Sequence, residues 1–101
     1  MTSKNKRRGN DFERELVQAA QANGINAIRA WGSDGRALGM HAEVDLIING
    51  YRIQAKRRKQ WPAWLVPNEN VDVQAVRRDR GKPFIVMPLE MFLDLIKDKP
   101  V

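Results

Sequence analysis

The tightest constraint in this chain is the dipeptide Asn49-Gly50, set between two strand-like runs, Glu43 to Ile48 and Tyr51 to Lys56. Both residues accept positive φ readily, so the pair predicts a two-residue β-hairpin loop. Such a loop fixes register, and residues that face one another have numbers adding to 99. Asp45 then faces Gln54, and Glu43 faces Lys56. Because side chains alternate between faces, Glu43, Asp45, Gln54 and Lys56 share one face with Arg52 and Ile47. Val44, Leu46, Ile48, Tyr51, Ile53 and Ala55 form the other, which is the natural core.

The rest of the chain is arranged around that hairpin. Asn10 to Asn23 reads as a helix with Asn10 or Asp11 as N-cap and Gly24 as its stop. Ile25 to Trp31 reads as a strand, and Gly32 to His41, with three glycines, as a loop. Trp61 to Asn70 reads as a loop with one helical turn. Val71 to Val76 and Phe84 to Met87 read as strands around a basic turn. Leu89, Phe92, Leu93 and Ile96 make one stripe of a closing helix. The expected fold is α/β, a mixed central sheet of about five strands flanked by helices. With 101 residues the expectation is a single domain over 1–101, its first nine residues a basic, flexible arm.

The chain carries 18 Lys and Arg against 12 Asp and Glu. Thirteen of the basic residues fall in three patches: Lys4, Lys6, Arg7 and Arg8; Arg52, Lys56, Arg57, Arg58 and Lys59; Arg77, Arg78, Arg80 and Lys82. Asp79 is the one acid among them, so the remainder of the chain is net acidic. A basic surface beside an acidic cleft suits a nucleic-acid enzyme that also holds a divalent cation. The plain alternative is a solvated set of charges. Zero cysteines exclude a disulfide framework, a thiolate nucleophile and a sulfur-ligated zinc site. No apolar run approaches the roughly 18 residues of a membrane span. No signal-peptide pattern opens the chain, so a cytoplasmic protein with no membrane partner is expected.

Directly opposed Cβ atoms sit about 4.5 to 5.5 Å apart, so Asp45 and the Gln54 amide oxygen could share a hard cation such as Mg²⁺. The same face also reads as a polar sheet surface with a Glu43–Lys56 ion pair. The first helix adds a second clue. Its apolar arc holds Phe12, Leu16, Val17 and Ala20, and Glu13 falls inside it at about 100° per residue. A carboxylate there needs compensation, either as the N3 residue of a capping box begun by Asn10 or through a metal held by the hairpin.

The runs Gly9-Asn-Asp-Phe-Glu13-Arg-Glu15-Leu16, Arg29-Ala-Trp-Gly32-Ser33, Val44-Asp45-Leu46-Ile47 and Gln54-Ala55-Lys56 resemble the PD-(D/E)XK nuclease superfamily. Within it they are most similar to archaeal-type Holliday junction resolvases and their small phage relatives. The resemblance implies a restriction-endonuclease-like core in αβββ then ββα order. It also implies Mg²⁺-dependent phosphodiester hydrolysis, with Mn²⁺ able to substitute, by a homodimer that cuts opposed strands of a four-way DNA junction, with no small-molecule cofactor. By that resemblance Glu13 and Asp45 bind metal, Gln54 occupies the second strand carboxylate's position, Lys56 orients or activates the attacking water, and Ser33 positions the junction. Gln54 departs from the usual Glu and removes one negative charge, which Glu43 is placed to restore.

The basic patches, with Arg29 and Ser33, are the expected DNA contacts. Ser33 also reads as a plain turn residue, Lys56 as a phosphate contact, and His41 as a general base or, more simply, as an incidental loop histidine. Trp61 and Trp64 read as core or interface residues, or else as platforms for unpaired bases. Two other functions stay open: a silent branched-DNA-binding module marked by Gln54, and a nicking nuclease with another DNA substrate.

Overall fold

The structure is a computed structural model that describes residues 4–97. Its first element is a helix, α1 (Lys4–Ala22), followed by β1 (Ala27–Arg29) and two 3-10 turns at Trp31–Ser33 and Gly35–Leu38. Strands β2 (Leu46–Ile48) and β3 (Tyr51–Ile53) form the hairpin, β4 (Gln74–Val76) and β5 (Phe84–Val86) a second strand pair, and helix α2 (Leu89–Ile96) closes the described chain. The arrangement is mixed α/β, with strands and helices in the order the sequence predicts.

The strands do not join into one mixed sheet. β1, β2 and β3 make a three-stranded antiparallel sheet, and β4 with β5 makes a separate antiparallel pair. The strands are only three residues long, and β4 and β5 leave Phe84 and Ile85 exposed. This second sheet has too little apolar cover to be a central layer.

Helix α1 starts at Lys4 rather than Asn10, so residues 4–9, read as an arm, are helical. Lys and Arg are good helix formers, and a Cβ at Gly9 would meet nothing. Asn10 therefore lies inside the helix, and the capping-box reading of Glu13 fails. Residues 1–3 of the expected arm lie outside the described residues. The helix ends as its sequence predicts. Gly24 takes φ 72°, its N–H donates to Gln21 O, and Ile25 N–H donates to Ala20 O at 2.9 Å. This is a Schellman cap with its apolar residue in place.

The core joins α1, the first sheet and α2 through Leu16, Ala20, Ile25, Leu46, Ile48, Leu93 and Ile96. Asn49 and Gly50 both hold positive φ, 49° and 84°, as an I′ turn requires. The turn is also fastened to the last helix, because Asn49 Nδ2 donates to Ile96 O at 3.0 Å. Tyr51, expected in the core, is 42 % exposed and packs edge-on against Phe92 of α2. No helix among the described residues is long and apolar enough to cross a membrane.

Candidate active site

The buried charged side chains of the described chain are Glu13 and Asp45, 4 % and 9 % exposed. Each is held in a different way. Glu13 projects from α1 with Leu16 and Ala20, as the helical arc predicts. Its Oε1 accepts from Arg29 Nε at 3.2 Å, and Ser33 Oγ lies 2.9 and 2.8 Å from Oε1 and Oε2. Asn10 Oδ1 stands 3.3 Å from both Arg29 Nη2 and Ser33 Oγ. Arg29, on β1, thus supplies the compensation that the helical pattern left open between a cap and a metal. Its signal was parity: Ala27 and Arg29 share the half-buried face of β1.

Ser33 reaches Glu13 because the backbone folds tightly before it. Gly32 and Ser33 both adopt left-handed φ, 62° and 57°, a conformation that costs a non-glycine residue energy. Asp34 accepts Arg36 N–H and caps the next turn. The hydrogen bond from the Arg36 guanidinium holds the Asp34 carboxyl down to about 2. Gly35 is buried against the approach to Asp45. A Cβ there would collide with His41 O and stand 2.8 Å from Val44 Cβ.

The hairpin register is as predicted from Ile48↔Tyr51 to Leu46↔Ile53. It then changes. Asp45 N–H donates at 2.9 Å to the carbonyl of Ile53, the residue paired with Leu46, and the Asp45 Oδ2 accepts Ala55 N–H at 2.8 Å. The carboxylate replaces a ladder bond, as at a bulge. The expected facing pairs, Asp45 with Gln54 and Glu43 with Lys56, therefore lie beyond the ladder. The alternation persists on the second strand, where Arg52, Gln54 and Lys56 are exposed while Ile53 and Ala55 are half-buried, but it breaks on the first, where Asp45 is buried between Val44 and Leu46 while Glu43 is exposed.

The candidate residues occupy adjoining places rather than one cluster. Glu43 and Gln54 line an open groove with His41, Val44, Arg52 and Ile53. His41 Nδ1 accepts Glu43 N–H at 3.0 Å, which gives this histidine a structural task. Lys56, Arg57, Arg58 and Lys59 line a second cleft with Arg8, and Arg57 Nη1 donates to Arg8 O at 3.4 Å. Two of the basic patches therefore meet. Arg77, Arg78 and Lys82 line a third cleft, and Arg80 occupies the same β4–β5 turn, exposed. Arg7 is exposed on α1. Lys4 and Lys6 belong to the same helix, but their side chains lie outside the described residues. Trp61 and Trp64 are 53 % and 63 % exposed, so neither closes the core of this chain.

A sequence comparison with protein families matches residues 4–91 to the family described as archaeal Holliday junction resolvase. The chain belongs to the archaeal Holliday junction resolvase family. Members of this family are structure-specific DNA endonucleases, so the protein is a phosphodiester hydrolase that acts on four-way junctions in DNA recombination. No curated protein and no solved structure matches it.

The resolvase assignment implies a Mg²⁺-dependent PD-(D/E)XK chemistry. The candidate donors read from the sequence are all oxygens: the Asp45 and Glu13 carboxylates, the Gln54 amide and the Glu43 carboxylate. Hard Mg²⁺ accepts such ligands and keeps several waters. Among the described residues no group of three or more His, Cys, Asp or Glu gathers as a metal cluster.

Proposed function

We propose that this single domain, as a homodimer, cuts opposed strands of a four-way DNA junction with Asp45, Gln54 and Glu13 as its metal ligands. Glu43 assists them directly or through water. The observation that supports this reading is burial: the chain withdraws two carboxylates from water, and they are the two acids that the resemblance to the nuclease superfamily assigns to metal binding. Glu13 already has Arg29 as its cation, whereas Asp45 accepts Ala55 N–H and, among the described residues, has no ion pair, so Asp45 is the buried acid that a bound cation would compensate. Mg²⁺ bound there would stabilise charge on the phosphate and lower the pKa of a bound water, with Mn²⁺ able to replace it.

The protein's own groups do the positioning. Asp45 is pinned by Ala55 N–H, one residue before Lys56, so the carboxylate and the lysine are tied to one stretch of backbone. Lys56 orients the attacking water and sets its positive charge against the phosphate. Ser33 and Arg29 hold the Glu13 carboxylate, and Ser33 in turn positions the junction from its loop. Arg8, Arg57, Arg58 and Lys59 grip the phosphates beside the scissile bond.

The test is cleavage of an end-labelled four-way junction, beside linear duplex and single strand, with Mg²⁺, Mn²⁺ or EDTA. Paired symmetric cuts on the junction, dependent on metal, are expected. Asp45→Asn is the informative variant, because an amide oxygen still accepts Ala55 N–H while the charge is gone. It should fold and bind but not cut, and Lys56→Ala should do the same. Junction binding without cleavage in the wild type would favour a silent binding module, and equal cutting of plain duplex a nuclease of another substrate.

A further inference from the structure

The β4–β5 unit carries a surface that the cleavage chemistry does not use. Trp64 and Phe84, 63 % and 60 % exposed, line one cleft with Val76, Arg77, Arg78 and Lys82. Its volume is about 460 Å³, within the range of about 300 to 1,000 Å³ common for small-ligand sites. Gln74 Nε2 donates to Trp64 O at 2.6 Å, which ties the tryptophan segment to β4. Among the described residues, none of the turn cations Arg77, Arg78, Arg80 and Lys82 forms an ion pair. At the tip, Arg80 itself holds φ 62° although Gly81 follows it.

Two aromatic rings exposed beside uncommitted cations are built for a ligand that is flat and apolar at one end and anionic at the other. We infer that this cleft binds an unstacked base of DNA, with the base against Trp64 and Phe84 and its flanking phosphates on Arg77, Arg78 and Lys82. Stacking on aromatic side chains beside a positive groove is the general device for holding unpaired strands. Charge selects this occupant over a second copy of the chain. A two-fold interface sets the same patch against itself, so self-association here would oppose one set of cations to another. The inference rests on the junction-nuclease reading only for taking DNA as the polyanion.

Binding of fluorescent oligothymidylate, linear duplex and four-way junction is measured by anisotropy in EDTA, so that cutting plays no part. Trp64→Ala and Phe84→Ala should each weaken oligothymidylate binding by about tenfold or more, with duplex binding unchanged. Trp64→Phe should restore most of the loss, and Trp64→Leu, apolar but without a π face, should not. An oligothymidylate carrying one 5-iodouracil should photo-crosslink to Trp64 or Phe84. Equal losses on all three DNAs, rescue by leucine, or crosslinks only elsewhere would overturn the inference. So would a fall from dimer to monomer on sedimentation of Trp64→Ala, which would make the patch an interface. Failure of the wild type to cut junctions would count against the nuclease reading while leaving these binding outcomes readable.

Discussion

Glu13 is a structural liability that its neighbours offset. Its carboxylate is nearly out of water, and Arg29 with Ser33 keeps it tolerable. Removing the guanidinium leaves a buried charge without its cation, and such losses are severe in full burial. Arg29 is itself a quarter exposed, so Arg29→Ala should cost less, about 2 kcal/mol, in urea unfolding. Adding Glu13→Gln to that variant should recover part of the loss, because the charge is gone, and the double-mutant cycle measures the pairing directly. Gln54 presents the opposite case, a missing charge on an exposed strand extension. Gln54→Glu should lower the Mg²⁺ concentration for half-maximal junction cleavage, read from a metal titration. A folded but inactive Gln54→Glu would show that the amide itself is required.

At the scale of elements, the hairpin and the two helices were legible because their signals are local. Asn49-Gly50 fixes its own turn, Gly24 its own helix end, and the stripe Leu89, Phe92, Leu93, Ile96 its own face. Glu13 in the helical arc was legible for the same reason. What a single strand cannot reveal is where its ladder stops. Asp45 lies beyond the last pair and turns its carboxylate to Ala55 N–H, a swap of side chain for backbone that no alternation pattern carries. The start of α1 was hidden too, since Asn10 is as good a cap as any and the helix simply runs through it. The separation of β4 and β5 from the first sheet depends on tertiary contact alone.

The loop before Asp45 is an element in its own right, and Gly35 is its packing point. Gly35→Ala would push a methyl group into His41 O and Val44, so the loop must shift or the fold loosen. We expect about 2 to 3 kcal/mol lost in chemical denaturation. A fall in junction cleavage should accompany it, because residues 41–44 deliver Asp45.

For the whole molecule, charge is distributed over separate surfaces. Arg8 with Lys56, Arg57, Arg58 and Lys59 lines one cleft, and the β4–β5 turn lines another. If the first cleft grips duplex phosphates, replacing Arg57, Arg58 and Lys59 together by Ala should lower the slope of log K against log salt by about 2 to 3 for duplex DNA. An unchanged slope would place the duplex contact elsewhere. The radius of gyration, 14.8 Å, exceeds the ~13 Å of a compact chain of this length, in keeping with a second sheet that stands outside the main core.

If both clefts hold DNA as proposed, that separation makes the molecule bivalent. Once one cleft is seated, the other would meet its own ligand on the same DNA at an effective concentration set by geometry rather than by what is in solution. A linear duplex would fill the first cleft only, whereas a branch point, with paired arms and loosened bases together, would fill both. Discrimination between the two would then arise as avidity, multiplied from two modest affinities, and it should fade when either cleft is disabled.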